Sequence, residues 1–499
     1  MKSFYEKKNK LPAAEKKLLN FIPVASNVFF LFQLLLSVLV FSACHPATAD
    51  NNSGNNYTKA DSLAYTNYKN YCAGCHGGNL DEFIGNKWEY ITESSPMADL
   101  IQNGQSDIGM PAFKKTFSRE ETEQLAAYIE KINMGTLKPP EPGETAGANT
   151  AKTNYFVKTV VSGLDIPWGL EFLPDGSLLI ADKPGKLYRF TTDEKLVEIA
   201  GLPKIWHIGQ GGLLDLKLHP RFAENGWIYI AYSYVSDTKP NTGNTAIMRA
   251  KLTADKLVNS EILYKGLPAT SKAHHFGCRI EFDSQGYMYF TIGDRGEQEN
   301  AQKTDNSNGK THRLTDDGKI PPDNPFVNDK HAMSSIYSYG HRNQQGIALN
   351  PLTGELWSHE HGPRGGDEIN IVEKGKNYGW PDITYGINYD GTIITNETRK
   401  PGMEQPVKYY VPSIAPSGMA FVTGNLYPGW ENSLLSGSLR FNYVERCEVD
   451  NGRIVFSEKI LENIGRVRTI RMSPDNYIYI TVENPGRVLK VIPAPISSE

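Results

Sequence analysis

"GLEFLPDGSLLIAD", residues Gly169–Asp182, reads as two alternating strands joined by a Pro-Asp-Gly turn. The same unit returns along the chain. It recurs as "LLDLKLHPRFAENGWIYIAY" (Leu213–Tyr232), "RIEFDSQGYMYFTIGD" (Arg279–Asp294), "GIALNPLTGELWSHEHG" (Gly346–Gly362), "GMAFVTGNLYPGWENSLLSG" (Gly418–Gly437) and "TIRMSPDNYIYITVEN" (Thr469–Asn484). Each copy supplies two clear strands, and the intervals leave room for two more. Six copies therefore predict a mainly β fold, a six-bladed β-propeller over residues 155–497. A β-sandwich would not require so regular a recurrence.

Upstream of the repeats the composition changes several times. A lysine-bearing start precedes the apolar run "VFFLFQLLLSVLVFSAC" (Val28–Cys44), the pattern of an export leader. Its end resembles a lipobox, with Phe41 in place of the usual leucine, so residues 1–43 are expected to be a lipoprotein-type signal peptide and Cys44 a lipid anchor in the membrane. An uncleaved membrane helix would give the same extracytoplasmic placement on the periplasmic side. Residues 44–57 are polar and small, a tether; "LKPPEPGETAGANTAK" (Leu137–Lys152) lies in a second flexible segment, residues 136–154, with a span of roughly 20–25 Å.

Between the two flexible segments, residues 58–135 are expected to form a small all-α domain. Thr58 or Asp61 begins one helix, and Ser118 with Glu121 forms a capping box for another, whose Leu125, Tyr128, Ile129 and Ile132 recur at helical spacing. The first helix leads to "YCAGCHGGN" (Tyr71–Asn79), the attachment pattern for haem c. Cys72 and Cys75 would form thioethers and His76 would bind the iron. The second axial ligand should be a thioether or another imidazole. Met97, Met110 and Met134 are available, and Met110 in "DIGMPAF" fits best because "GMPAF" resembles the methionine loop of class I cytochromes c.

The net charge of −4 over 499 residues, with no long basic cluster beyond the N-terminus, argues against a nucleic-acid partner. Chemistry in a propeller gathers at loops and strand ends near the central channel. The stretches "IGQGGLLDL", "KAHHFGCRI", "YGHRNQQG", "EHGPRGGDEIN", "GSLRFN" and "GRVRTIR" place imidazole, guanidinium and carboxylate groups at such positions. Several cations near one cavity point to an anionic ligand, and carbonyls and carboxylates beside glycines suit calcium.

"IPWGLEFLPDG", "GQGGLLDLKLHP", "HFGCRIEF", "GKIPPDNPF", "YSYGHRNQQGIALNP", "EHGPRGGDEINIVEKGKNYGWP" and "GRVRTIRMSPD" together resemble the soluble glucose/sorbosone dehydrogenases, above all their aldose sugar dehydrogenase branch. The resemblance implies a propeller that uses pyrroloquinoline quinone (PQQ) to oxidise an aldose sugar at C1 to a lactone. It implies His275 as general base, Gln210, Arg342 and Asn343 as PQQ-holding residues, and Arg466 and Arg468 near the quinone oxygens and carboxylates. Gly362 and Pro363 would offer carbonyls to a cofactor-bound calcium, and Glu368 and Tyr378 would bind a structural calcium. Arg440 stands where relatives usually carry a cofactor-contacting lysine, Thr469 where aspartate is common, and Cys278 where a small residue is usual. A Cys278–Cys447 bridge is open in an oxidising compartment.

The order of segments implies that electrons pass from reduced PQQ to the haem of the same chain and on to a downstream electron acceptor. The competing reading is a carbohydrate-binding propeller without PQQ activity, tethered to a cytochrome.

Overall fold

A computed structural model of the chain describes residues 58–72, 76, 80, 96–105, 110, 112–114, 116–137 and 155–494. The leader, the Cys44 anchor, the tether, the 138–154 linker and Cys75 lie outside the described residues. Among the described residues no helix is long and apolar enough to cross a membrane.

Among the described residues, three α-helices belong to the N-terminal unit: α1 (Lys59–Asn67), α2 (Met97–Asn103) and α3 (Arg119–Asn133). Both expected starts are capping boxes. Thr58 Oγ1 accepts from the Asp61 amide and Ser118 Oγ from the Glu121 amide, while each carboxylate accepts from its cap's amide. Leu125, Tyr128, Ile129 and Ile132 form the buried stripe of α3. Lys131 Nζ meets Asp61 Oδ1 at 2.6 Å and ties α3 to α1, and Gln102 Nε2 donates to Thr122 Oγ1 at 2.5 Å, tying α2 to α3. After α1 the chain enters a π-helical turn, Tyr68–Cys72, which brings Cys72 into this core.

The six expected blades are present, each a four-stranded antiparallel sheet. Blade one pairs Leu170 with Ile180 and Phe172 with Leu178. Its turn is closed by Asp175 Oδ1, which accepts from the Ser177 amide at 3.0 Å, and by Gly176 at φ +85°. The sixth blade is composite: Tyr155–Leu164 pairs with Gly486–Pro493, which continues through Ile478–Glu483 to the inner strand Arg466–Met472. The first strand of the propeller thus closes the ring on the last.

In five blades the innermost pair carries a register shift near its start, at 167/169, 213/216, 344/346, 416/419 and 467/469. Such bulges re-aim side chains without ending the sheet. Close approach near the axis explains Gly418: at φ +71°, an added Cβ would lie 2.7 Å from the Ile470 nitrogen.

Arg279, at the head of blade three's inner strand, crosses this axis. Its guanidinium donates to the Trp168 carbonyl at 3.2 Å, Asp215 Oδ1 at 3.3 Å, Thr469 Oγ1 at 2.7 Å, the Gln345 carbonyl at 2.8 Å and the Arg468 carbonyl. One side chain therefore joins the inner strands of four other blades. Thr469 serves this junction, and its hydroxyl also donates to the Trp168 carbonyl at 2.5 Å. Cys278 and Cys447 are unpaired thiols in separate hydrophobic clusters. The open possibility of a bridge between them is excluded.

Candidate functional site

His275 lies in the loop before blade three, buried, with φ +57°. The conformation is held from both sides. Its amide donates to Gln210 Oε1 at 2.8 Å, and its Nδ1 lies 2.6 Å from Asp294 Oδ1. Asp294 also accepts from the Gly296 amide at 2.7 Å and from the Trp380 indole at 2.8 Å. Burial would raise the Asp294 carboxyl, but His275, Arg342 and the Gly296 amide hold it down to about 2. It is an anion at neutral pH. Burial and the Arg342 guanidinium push the His275 imidazole below its usual range, against the opposing pull of Asp294. A neutral ring that donates through Nδ1 to a carboxylate presents Nε2 as a base.

The sequence reading missed Asp294. It ends "YMYFTIGD", and two residues past the strand Met288–Ile292 it looks like an ordinary turn aspartate. His274 is packed edge-on to His275, 4.7 Å between ring centroids, and its Nδ1 finds no partner among the described residues.

Asn343 Oδ1 accepts from the Gly277 amide at 3.1 Å, tying the His275 loop to blade four. Arg342 donates to the His361 and Gly362 carbonyls at 3.0 Å each. Gly362 in turn donates to Asp367 Oδ1 at 2.8 Å. That carboxylate also accepts from the Ser413 hydroxyl and the Ile414 and Ala415 amides, so one buried acid fixes both loops. Arg440 donates to the Ser413 carbonyl at 3.0 Å beside it. Arg466 Nε bonds Glu483 Oε2 at 3.0 Å, and Arg468 bonds the other oxygen of the same carboxylate. Burial alone would raise Glu483, yet Arg468 and Arg466 hold it down to about 2. Two guanidinium groups against one carboxylate leave a net positive wall. Glu483 was not among the expected site residues.

This donor set fits PQQ, a planar tricarboxylate quinone: Arg342, Arg440, Arg466 and Arg468 supply cationic donors, and the Gln210 and Asn343 amides join the loops beside the base. A calcium also finds suitable groups. Glu360 and Glu368 both accept from the Asn370 amide, at 3.4 and 3.2 Å, and line a small cavity with Gly340, Gly362 and Thr384. Burial and then the neighbouring Glu360 push the Glu368 carboxyl up, a repulsion that a cation would relieve. Tyr378 lines the same cavity, but its hydroxyl donates to the Ile371 carbonyl at 2.5 Å. Its main-chain oxygen is the group left for a metal. Pro363 is buried beside Gly362.

In the helical unit Cys72 is buried, and the Tyr68 hydroxyl donates to the His76 carbonyl at 3.0 Å. Burial and then the Arg466 guanidinium push the His76 imidazole down to about 4, so it is neutral, as iron ligation requires. Met110 sits on a two-residue bridge with Gln105 and is packed against the helical core. Met97 is buried in α2, and Met134 is 67% exposed.

Residues 164–490 match the family described as "Glucose / Sorbosone dehydrogenase", and residues 59–129 match that described as "Cytochrome C oxidase, cbb3-type, subunit III". The aldose sugar dehydrogenase YliI of Escherichia coli is 42% identical over 351 residues, 69% of this chain and 94% of its own length. The crystal structure of soluble aldose sugar dehydrogenase from Escherichia coli in the apo-form superposes with TM-score 0.66 and 39% identity, covering 68% of this chain and 100% of that one. The PQQ-bound form of aldose sugar dehydrogenase from Streptomyces coelicolor does so with TM-score 0.57 and 27% identity, covering 70% and 100%.

Proposed function

Since the chain belongs to the glucose/sorbosone dehydrogenase family and carries a cytochrome c domain ahead of its propeller, we propose that it oxidises aldose sugars at C1 and passes the electrons to its own haem. The observation that carries the reading is the buried His275–Asp294 pair, with the Arg342 guanidinium acting on both groups. PQQ, when bound, supplies a two-electron acceptor for the hydrogen at C1. The remaining work falls to the chain's own residues. His275 Nε2 takes the proton of the C1 hydroxyl, and Asp294 holds the ring and stabilises the imidazolium that forms. Arg342, Arg440, Arg466 and Arg468 bind the cofactor's carboxylates and stabilise negative charge developing at its quinone oxygens. Gly362 and Pro363 would offer carbonyls to a calcium at the cofactor, and Glu368 with the Tyr378 carbonyl, joined by Glu360, would hold a structural one.

On the haem side, Cys72 and Cys75 would hold the porphyrin, and His76 and Met110 would be the iron ligands. A lipidated Cys44 would hold this assembly on the periplasmic side, within reach of a downstream acceptor.

In stopped flow with PQQ- and calcium-loaded protein, an oxidisable aldose is expected to reduce the haem at a rate independent of protein concentration. A rate proportional to protein concentration would mean transfer between molecules. Dye reduction without haem reduction would remove the haem from the route. His275→Asn is expected to retain PQQ and lose turnover by about 10² or more. Full turnover in that variant at saturating PQQ would show that His275 is not the base.

A further inference from the structure

The loop that carries Gly362 and Pro363 also carries Arg364, and Arg364 reaches the haem segment. Its NH2 donates to the Tyr71 hydroxyl at 3.0 Å, and its guanidinium carbon lies 4.6 Å from the centroid of the Tyr71 ring. Tyr71 directly precedes Cys72 and is wedged edge-on against Phe117, 4.9 Å between centroids. Arg364 therefore grips the helical core rather than a loose side chain. Its own backbone is braced: the Arg364 amide donates to the Ile387 carbonyl at 3.0 Å, and the Ile387 amide donates back at 3.4 Å. Two residues on, the Tyr389 carbonyl accepts a longer contact, 3.5 Å, from Thr116 Oγ1 just ahead of α3. Both contacts thus come from one braced rim of blade four.

We propose that this rim, the 361–366 loop together with the 387–392 turn, is a docking surface for the chain's own haem segment, with Arg364 as its latch. The proposal rests on the dehydrogenase-to-haem reading above and says where that transfer takes place. The latch is two residues from the Gly362 carbonyl that accepts from Arg342. Cofactor site and docking surface therefore share a loop. The latch sets the fraction of time the haem segment spends in register.

The test uses the full, haem-bearing chain with Arg364→Ala, a substitution on the rim outside the proposed cofactor contacts. Without PQQ or calcium, amide exchange at residues 112–117 and 387–392 is expected to rise several-fold in the variant, with exchange in the second-blade strand Trp227–Val235 unchanged. Arg364→Lys, which keeps a cation over the ring, should restore part of the protection. With both cofactors loaded, sugar-driven haem reduction is expected to slow by about five- to tenfold while reduction of a small dye is unaltered. Unchanged exchange at both segments in Arg364→Ala overturns the docking surface. Dye reduction without haem reduction in the unaltered chain would instead overturn the transfer reading, and the exchange result would still decide the docking.

Discussion

At the scale of single residues, the candidate site turns on a buried carboxylate that holds the His275 ring. Asp294 fixes the His275 tautomer through a 2.6 Å contact and offsets part of the downward shift that burial and Arg342 impose on the imidazole. Asp294→Asn is expected to lower kcat by roughly 10² with little change in KM. The sign of the pH effect follows from the charges. Removing an anion disfavours imidazolium, so the acid limb of the kcat profile should move to lower pH in the variant. A kcat and an acid limb both equal to those of the unaltered enzyme would exclude Asp294 as the positioning residue. His275 was readable in "HHFGC" through family resemblance. Asp294 was not, because an aspartate ending a strand before glycines looks the same whether it closes a turn or orients a base.

At the scale of elements, hairpins and helix caps were legible because their chemistry is local. Asp175 and Gly176 shape their turn within a few residues, and Ser118 and Glu121 satisfy each other across one helical turn. The bulges opening five inner strands were not legible, since one extra residue leaves the alternation of a six-residue strand nearly intact. Tyr378 shows the same limit: the resemblance names the residue but not the atom, and its hydroxyl donates to the Ile371 carbonyl. The methionine loop is an element whose role can be read spectroscopically. Met110→Ala should keep both thioether attachments, lose the thioether-to-iron band and lower the haem potential. An unaltered ligand spectrum would move the axial ligand to Met97, Met134 or a histidine.

At the scale of the whole molecule, ring geometry decides contacts between residues hundreds of positions apart. Arg279 read as one more strand arginine, yet it is fully enclosed and joined to Trp168, Asp215, Gln345, Arg468 and Thr469. Burial holds its guanidinium down to about 9, with Asp215 as the first group opposing that shift. Arg279→Met should destabilise the propeller by about 3 kcal/mol or more, because it strips five acceptors of their shared donor at once. Denaturant unfolding of the full chain checks this, and a loss below about 1 kcal/mol would show that the junction relaxes or takes up water.

The composite sixth blade also bears on how the protein is made. The strand Tyr155–Leu164 emerges early but pairs with Gly486–Pro493, the last strand of the ring. The helical unit, with a core of its own, is complete long before that partner exists. Haem can therefore be attached to a chain whose propeller is still open. A product cut short before residue 486 is expected to be coloured and yet silent toward sugar, so colour is no assay of a finished molecule.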